Sequence, residues 1–184
     1  MSFQTNLSNY NNNNYRSGTL IARLIWYAFN VIFFKSSWIV YSPFKVIILK
    51  LFGAKVGKGV LIKPNVNIKY PWRLIIGNHV WIGENVWIDN LDMVNIGDNV
   101  CISQGAMLLT GNHNYNKITF DLITQPVILE NGVWVGAKSI VCPGVICASH
   151  SVLTAGSVAS DDLEAFTINK GNPAVVVKSR SIKS

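Results

Sequence analysis

Histidine is the side chain whose ordinary titration range lies nearest neutrality, and this chain of 184 residues carries three: His79, His113 and His150. His113 stands in Gly111-Asn112-His113-Asn114-Tyr115, a polar stretch with turn-forming residues on both sides. A neutral imidazole so placed can take the proton of a hydroxyl that does not ionise by itself, an effect of about 10²–10⁴ in rate. It can equally be an ordinary polar loop residue. Upstream, Asn85 and the run Asp89-Asn90-Leu91-Asp92 group amides and carboxylates suited to hydroxyl-rich ligands, although Asp and Asn also build plain turns. Asp92 is in addition a candidate to orient His113. Trp134 is either the wall of a site or a surface aromatic. Cys101, Cys142 and Cys147 are odd in number and lack a CxxC spacing, which points to free thiols in a reducing compartment.

These residues are positioned by a repeat. From Val56 to Ala159 an aliphatic residue returns every six positions: Val56, Ile62, Ile68; Ile76, Ile82, Ile88; Ile96, Ile102, Leu108; Leu129, Val135, Val141; Cys147, Leu153, Ala159. Four positions after the marker comes Val or a small residue, as at Val60, Val86, Ser139 and Ser157. Helices repeat near 3.6 and strands at 2, so neither explains a period of six. A parallel β-helix does, each step being a short strand and a corner, three steps to a coil. The register slips only after every third marker, by two residues after Ile68, two after Ile88 and fifteen after Leu108. All three insertions must therefore stack at one corner, and the longest holds His113. Cys147 fills an inward slot and reads as core.

His79 and His150 fall three positions after a marker, where Asn or Asp would serve equally. Three histidines on a β-helix raise the alternative of a zinc site of the γ-class carbonic anhydrase kind. The spacing opposes it: at about 4.8 Å per coil, His79 and His150 stand roughly 14 Å apart, His113 belongs to another corner, and no His-x4-His pair is present.

Residues 1–17 are Asn-rich and polar, unlike a secretory leader, and are expected to form a flexible arm. Residues 18–52 are apolar and aromatic but broken by Arg23, Lys35, Pro43 and Lys45, short of the roughly twenty apolar residues of a membrane span. Two helices, 19–34 and 43–52, are predicted. They either cap the open end of the β-helix or pack between subunits, or they lie in a membrane interface with Lys at the rim. The β-helix domain covers 53–160 with its insertion at 109–128. The repeat stops after Ala159, leaving 161–184 as a cap, a short helix or strand, with a basic tail. The net charge of +7 either solvates the surface or meets an anionic lipid or ligand. No nucleic-acid motif accompanies it, so no nucleic-acid partner is expected.

The hexapeptide pattern, Asn112-His113, Gly132-Val133-Trp134-Val135-Gly136-Ala137, Val141-Cys142-Pro143-Gly144-Val145, Ala155-Gly156-Ser157 and Gly171-Asn172-Pro173-Ala174 together resemble the left-handed β-helix acyltransferases. The resemblance covers about residues 50–178. It is to the colanic-acid-type O-acetyltransferases of exopolysaccharide synthesis, relatives of the galactoside and maltose acetyltransferases. It implies a mainly β fold, a single-stranded left-handed parallel β-helix with an N-terminal helical segment, assembled as a homotrimer. It also implies acetyl-CoA as co-substrate, no metal, and a sugar or lipid-linked oligosaccharide acceptor, in the cytoplasm or peripherally at the inner membrane face.

His113, seventeen residues after Ile96, matches the catalytic base. Asn85, Asp89, Asn90, Asp92 and Trp134 would face the acceptor. The resemblance places acetyl-CoA between adjacent β-helices, along the backbones of Ala137 and Ala155, with Ser160 and Asp161 next. Here the chain departs from its relatives. They carry Thr-Lys where Ser160-Asp161 stands, and Lys or Arg where Val175 stands. Lys178, Arg180 or Lys138 would then have to meet the CoA phosphates. The alternatives are a serine- or amino-sugar acetyltransferase on the same scaffold, or a non-catalytic β-helix subunit.

Overall fold

The computed structural model describes residues 4–183. Residues 55–171 wind into a left-handed parallel β-helix of about six turns, its strands two or three residues long in most steps. The first, second and third markers of each coil build three parallel sheets, here A, B and C. Sheet A stacks Val56, Ile76, Ile96, Leu129 and Cys147. Sheet B stacks Ile62, Ile82, Ile102, Val135 and Leu153, and sheet C stacks Ile68, Ile88, Leu108, Val141 and Ala159. Every marker except the half-buried Val56 is buried, and so is the residue four positions on at each corner without an insertion; at the three insertions Leu74, Val94 and Val127, two positions before the next marker, take that place. The two sets fill one continuous apolar bore, which is why the period is six.

The corners need a left-handed residue three positions after the marker. At the corner from A to B these are Gly59, His79, Asn99, Gly132, His150 and Phe166; from B to C they are Asn65, Asn85, Gly105, Lys138 and Gly156. Asn and His tolerate positive φ better than branched residues, so His79 and His150 are corner residues. A polar ladder runs down the A-to-B corner. Lys58 N–H donates to Asn78 Oδ1, Asn78 N–H to Asp98 Oδ1 and Asp98 N–H to Asn131 Oδ1, at 3.0, 2.6 and 2.7 Å. The bonds from Asn78 hold the Asp98 carboxyl below its usual range.

Two helices close the first coil. In α1 (Leu20–Phe29) Thr19 caps the N-terminus through Ala22 N–H, and a single π-helical stretch, Asn30–Phe34, continues it. α2 (Ser42–Leu51) has Pro43 in its first turn and stops at Gly53, whose φ is +92°. Lys45 of α2 is fully buried. Its Nζ donates to the carbonyls of Ile62 and Lys63 at 3.4 and 2.9 Å, satisfying strand ends that no earlier coil covers. Burial lowers the Lys45 pKa from 10.5 to about 8.

Two segments differ from the sequence expectation. Residues 4–17 lie along the flank instead of standing free: Tyr15 Oη donates to Leu91 O at 2.7 Å and receives Arg73, and Asn6 N–H donates to Ile118 O. The winding also continues past Ala159. Leu163 is buried and bridges to Cys147, and six residues later Asn169 takes the inward slot beneath Leu153. The repeat is hidden there because one step shrinks to four residues and the next marker is polar. Asn169 is accommodated by bonds to Val152 O and Thr167 Oγ1. The antiparallel hairpin Thr167–Gly171 with Ala174–Ser179 then caps that end.

Candidate active site

All three insertions leave the corner between sheets C and A. The longest becomes an antiparallel hairpin, Gly111–His113 paired with Leu122–Thr124, that carries His113 opposite Leu122. Phe120 has a left-handed backbone, φ +51°, which turns its carbonyl back toward the imidazole. His113 Nδ1 lies 2.9 Å from Phe120 O, and since a carbonyl only accepts, Nδ1 carries the hydrogen. In the neutral form of the ring Nε2 is then the acceptor. The Phe120 ring stacks on the imidazole at 4.4 Å and 8°, and Tyr10 from the N-terminal segment closes against it at 5.8 Å. Lys117 and Asp121, 2.9 Å apart, pin the hairpin tip, and hydrogen bonds from Thr119 and Lys117 hold the Asp121 carboxyl low.

One coil below, the insertion Asp89–Asp92 sits under that hairpin, stitched to it by Thr110. The Thr110 hydroxyl donates to Asp89 O and accepts Asp92 N–H, both at 2.9 Å. Asp92 does not orient His113: its Oδ1 accepts Met93 N–H at 2.7 Å, and Phe120 O does the orienting. Asn90 is unsuited to acceptor binding. It is fully buried, its Oδ1 accepts Tyr70 N–H, and its Nδ2 donates to Tyr70 O and Arg73 O. Asp89 Oδ1 lies 2.9 Å from Lys69 Nζ, at ion-pair distance but outside hydrogen-bonding angles. Both border a cleft of about 390 Å³ between α1 and sheet C, lined also by Asn67, Tyr70 and Trp87.

The remaining candidates lie at the other edge of sheet C or beyond it. Asn85 is exposed at the B-to-C corner of the second coil, two coils before Ala137 and three before Ala155 at the same corner. Ala137 and Ala155 line a groove of about 330 Å³ with Ser103, Gln104, Trp134 and Thr154. Trp134 is half-exposed and donates from Nε1 to Ser103 Oγ at 2.9 Å, which holds the indole against the groove. Among the described residues, neither Ala137 N–H nor Ala155 N–H has a backbone acceptor. A Cβ on Gly136 would stand 2.6 Å from Ala155 N, so only glycine leaves that amide room. Ser160 donates to Asp161 Oδ2 at the last C-to-A corner.

Of the basic candidates, Arg180 donates from Nη1 to Gly132 O and His150 O at the A-to-B corner, away from the groove. Lys178 is exposed on the hairpin opposite Ile168, and Lys138 is exposed beside Ala137. Lys170 escaped the sequence reading. It pairs directly across the hairpin from Val175, and directly opposed residues in a ladder project to the same side. A sequence comparison position by position could not find it, because the charge moved to the opposite strand. Among the described residues no group of three His, Cys, Asp or Glu could hold a metal ion.

No family profile matches the chain. WcaF of Escherichia coli, named for a colanic acid biosynthesis acetyltransferase, is 35% identical over 166 residues, 90% of this chain and 91% of that protein. The galactoside O-acetyltransferase of E. coli is 29% identical over 134 residues, 71% of this chain and 66% of the relative. Among solved structures, the hexapeptide-repeat-containing acetyltransferase VCA0836 of Vibrio cholerae, complexed with acetyl coenzyme A, superimposes with a TM-score of 0.81. That match covers 96% of both chains at 20% identity, a likeness of fold.

Proposed function

The chain belongs to the hexapeptide-repeat acetyltransferases, and on that premise we propose that it moves acetyl from acetyl-CoA to a sugar hydroxyl of an exopolysaccharide precursor, with His113 as general base. The observation that carries the reading is the Nδ1–H bond to Phe120 O, which leaves Nε2 as the free acceptor. In the reaction Nε2 takes the hydroxyl proton as the oxygen attacks the thioester carbonyl. The tetrahedral centre then collapses with cleavage of the C–S bond, and the imidazolium returns the proton to the departing sulfur. Fixing the tautomer and ring plane beforehand raises the fraction of encounters in which Nε2 faces the hydroxyl.

The groove beside Ala137 and Ala155 suits the pantetheine arm, which needs hydrogen-bond acceptors for its own amides and finds two free backbone N–H groups there. Ser160 and Asp161 would offer polar contacts further along. Lys170, with Lys178 behind it on the partner strand, would supply the phosphate charge missing at Val175. Asp89, Asp92 and Asn85 remain the proposed acceptor contacts. Because His113 and the groove occupy opposite edges of sheet C, a complete site calls for the groove of one chain beside the His113 hairpin of the next. A closed three-fold assembly provides that arrangement.

Calorimetry with acetyl-CoA and a turnover assay across acceptors test the reading together. Micromolar binding, weakened about tenfold or more by Lys170→Ala, and turnover with sugar hydroxyls but not with serine or amino sugars, is expected. Turnover confined to amines would overturn the acceptor class.

A further inference from the structure

α1 is turned the wrong way round for a helix on a water-soluble surface. Its polar groups, Arg23 and Asn30, face the solenoid, where Asn30 Nδ2 donates to Asn67 Oδ1 at 2.7 Å. Its outer side, continued by Asn30–Phe34, is a stripe of Ile21, Ile25, Val31 and Ile32 with Leu20 and Leu24 at the lip of the cleft beside sheet C, each 40–71% exposed. A helix apolar on every side is normally buried on every side. The stripe does not end there. Phe29 and Phe33 of this segment pack against Phe52 and Phe44, so α2 lies alongside, and it too sends Phe44, Ile47 and Leu51 outward. Between the helices Trp38 is 91% exposed. Contiguous exposed apolar surface on this scale marks an interaction face.

Charge says what covers it. The first 83 residues contain ten of the sixteen Lys and Arg and none of the nine Asp and Glu. Winding converts that order into an axial polarity. The end built by α1, α2 and the first coil holds eight of those ten cations, and everything beyond Gly83 carries −3. Lys35 and Lys50 sit beside the apolar face, and Lys55, Lys58 and Lys63 are exposed on the coil behind it. A protein partner matched to such a rim would have to bring acids. A bilayer bearing anionic phospholipid brings both the apolar layer and the negative plane above it. Among the described residues no helix is long and apolar enough to cross a membrane, so the helices would lie in the interface.

We propose that the helical end of the solenoid docks on anionic phospholipid, with α1, Trp38 and the outer side of α2 in the headgroup boundary and the lysines above it. This is independent of the acetyl acceptor. If the subunits assemble with parallel solenoids, all copies present this end to the same side, and their affinities multiply.

Flotation with vesicles of phosphatidylcholine alone, and of phosphatidylcholine with 30% phosphatidylglycerol, is the test. Binding to the anionic vesicles at least tenfold tighter than to the neutral ones is expected. It should be weakened at least fivefold by Ile21→Ser with Ile25→Ser, by Lys50→Glu with Lys55→Glu, and by 0.5 M NaCl. Circular dichroism and turnover on a soluble acceptor should stay unchanged in both variants. Absence of binding to the anionic vesicles overturns the proposal, as does equal binding to both kinds. Light scattering identifies a second copy as the occupant instead: vesicle binding absent and the oligomer lost in Ile21→Ser with Ile25→Ser would also overturn it.

Discussion

One bond decides what the His113 imidazole can do. Phe120 adopts positive φ, its carbonyl faces Nδ1, and the proton-accepting lone pair is thereby placed on Nε2. The other two histidines illustrate how context separates identical side chains. His79 and His150 hold corners in left-handed geometry, and His150 stacks on Phe166 at 4.8 Å. Their work is conformational, so replacement should follow backbone tolerance. His79→Asn is expected to leave stability within about 0.5 kcal/mol, whereas His79→Val should cost about 1–2 kcal/mol through strain in the left-handed region, as read by urea denaturation. Cys147 is structural in another way, filling an inward slot of the bore, with burial pushing its thiol up to about 12, so it is neither a nucleophile nor a redox group at neutral pH.

At the scale of elements, the coil is stabilised by its bore and by its end. Ile88→Ala, at a fully buried position stacked between Ile68 and Leu108, should lower stability by about 2–5 kcal/mol. Lys45 is a different kind of support, since its Nζ replaces the N–H groups of a coil that does not exist. Folded Lys45 titrates near pH 8 and unfolded lysine near 10.5. Between those values the unfolded chain binds more protons, so stability rises with pH through that window. Thermal melts should show a rise from pH 8 to 10 in the native chain relative to Lys45→Met, and no difference in slope would mean that the ammonium is not desolvated.

The period of six makes the coils, sheets and insertion corner legible in the sequence, because every inward slot from Ile62 to Leu153 obeys one steric rule. The same rule concealed the last turn, where Leu163 comes two residues early and Asn169 is polar. Within the site, an outward insertion bearing His113 was legible from its length and its turn residues, but its pairing into a hairpin was not. Burial of Asn90 was not, since an exposed turn amide and a buried one that closes a corner have the same local sequence. Lys170 was illegible for a related reason: which strand carries a charge matters less to a ligand than which face, and facing depends on register.

For the whole molecule, a site divided between two edges of sheet C predicts cooperation between chains. Chains with His113→Ala should be inactive, and so should chains with Ala137→Glu, which places a charge in the groove. Co-expressed, the two should regain turnover, because mixed assemblies contain junctions where an intact hairpin meets an intact groove. A mixture as inactive as its parents would mean that each chain holds a complete site. The charge is also polarised along the axis, with the helical end of the chain basic and apolar. Proton removal from the acceptor is assigned to Nε2 of His113. It is tested most directly by single-turnover acetyl transfer in His113→Ala, measured beside acetyl-CoA affinity on the same protein. A rate lowered at least a hundredfold with affinity unchanged is the predicted result. A near-normal rate would remove His113 from the chemistry, whatever its geometry.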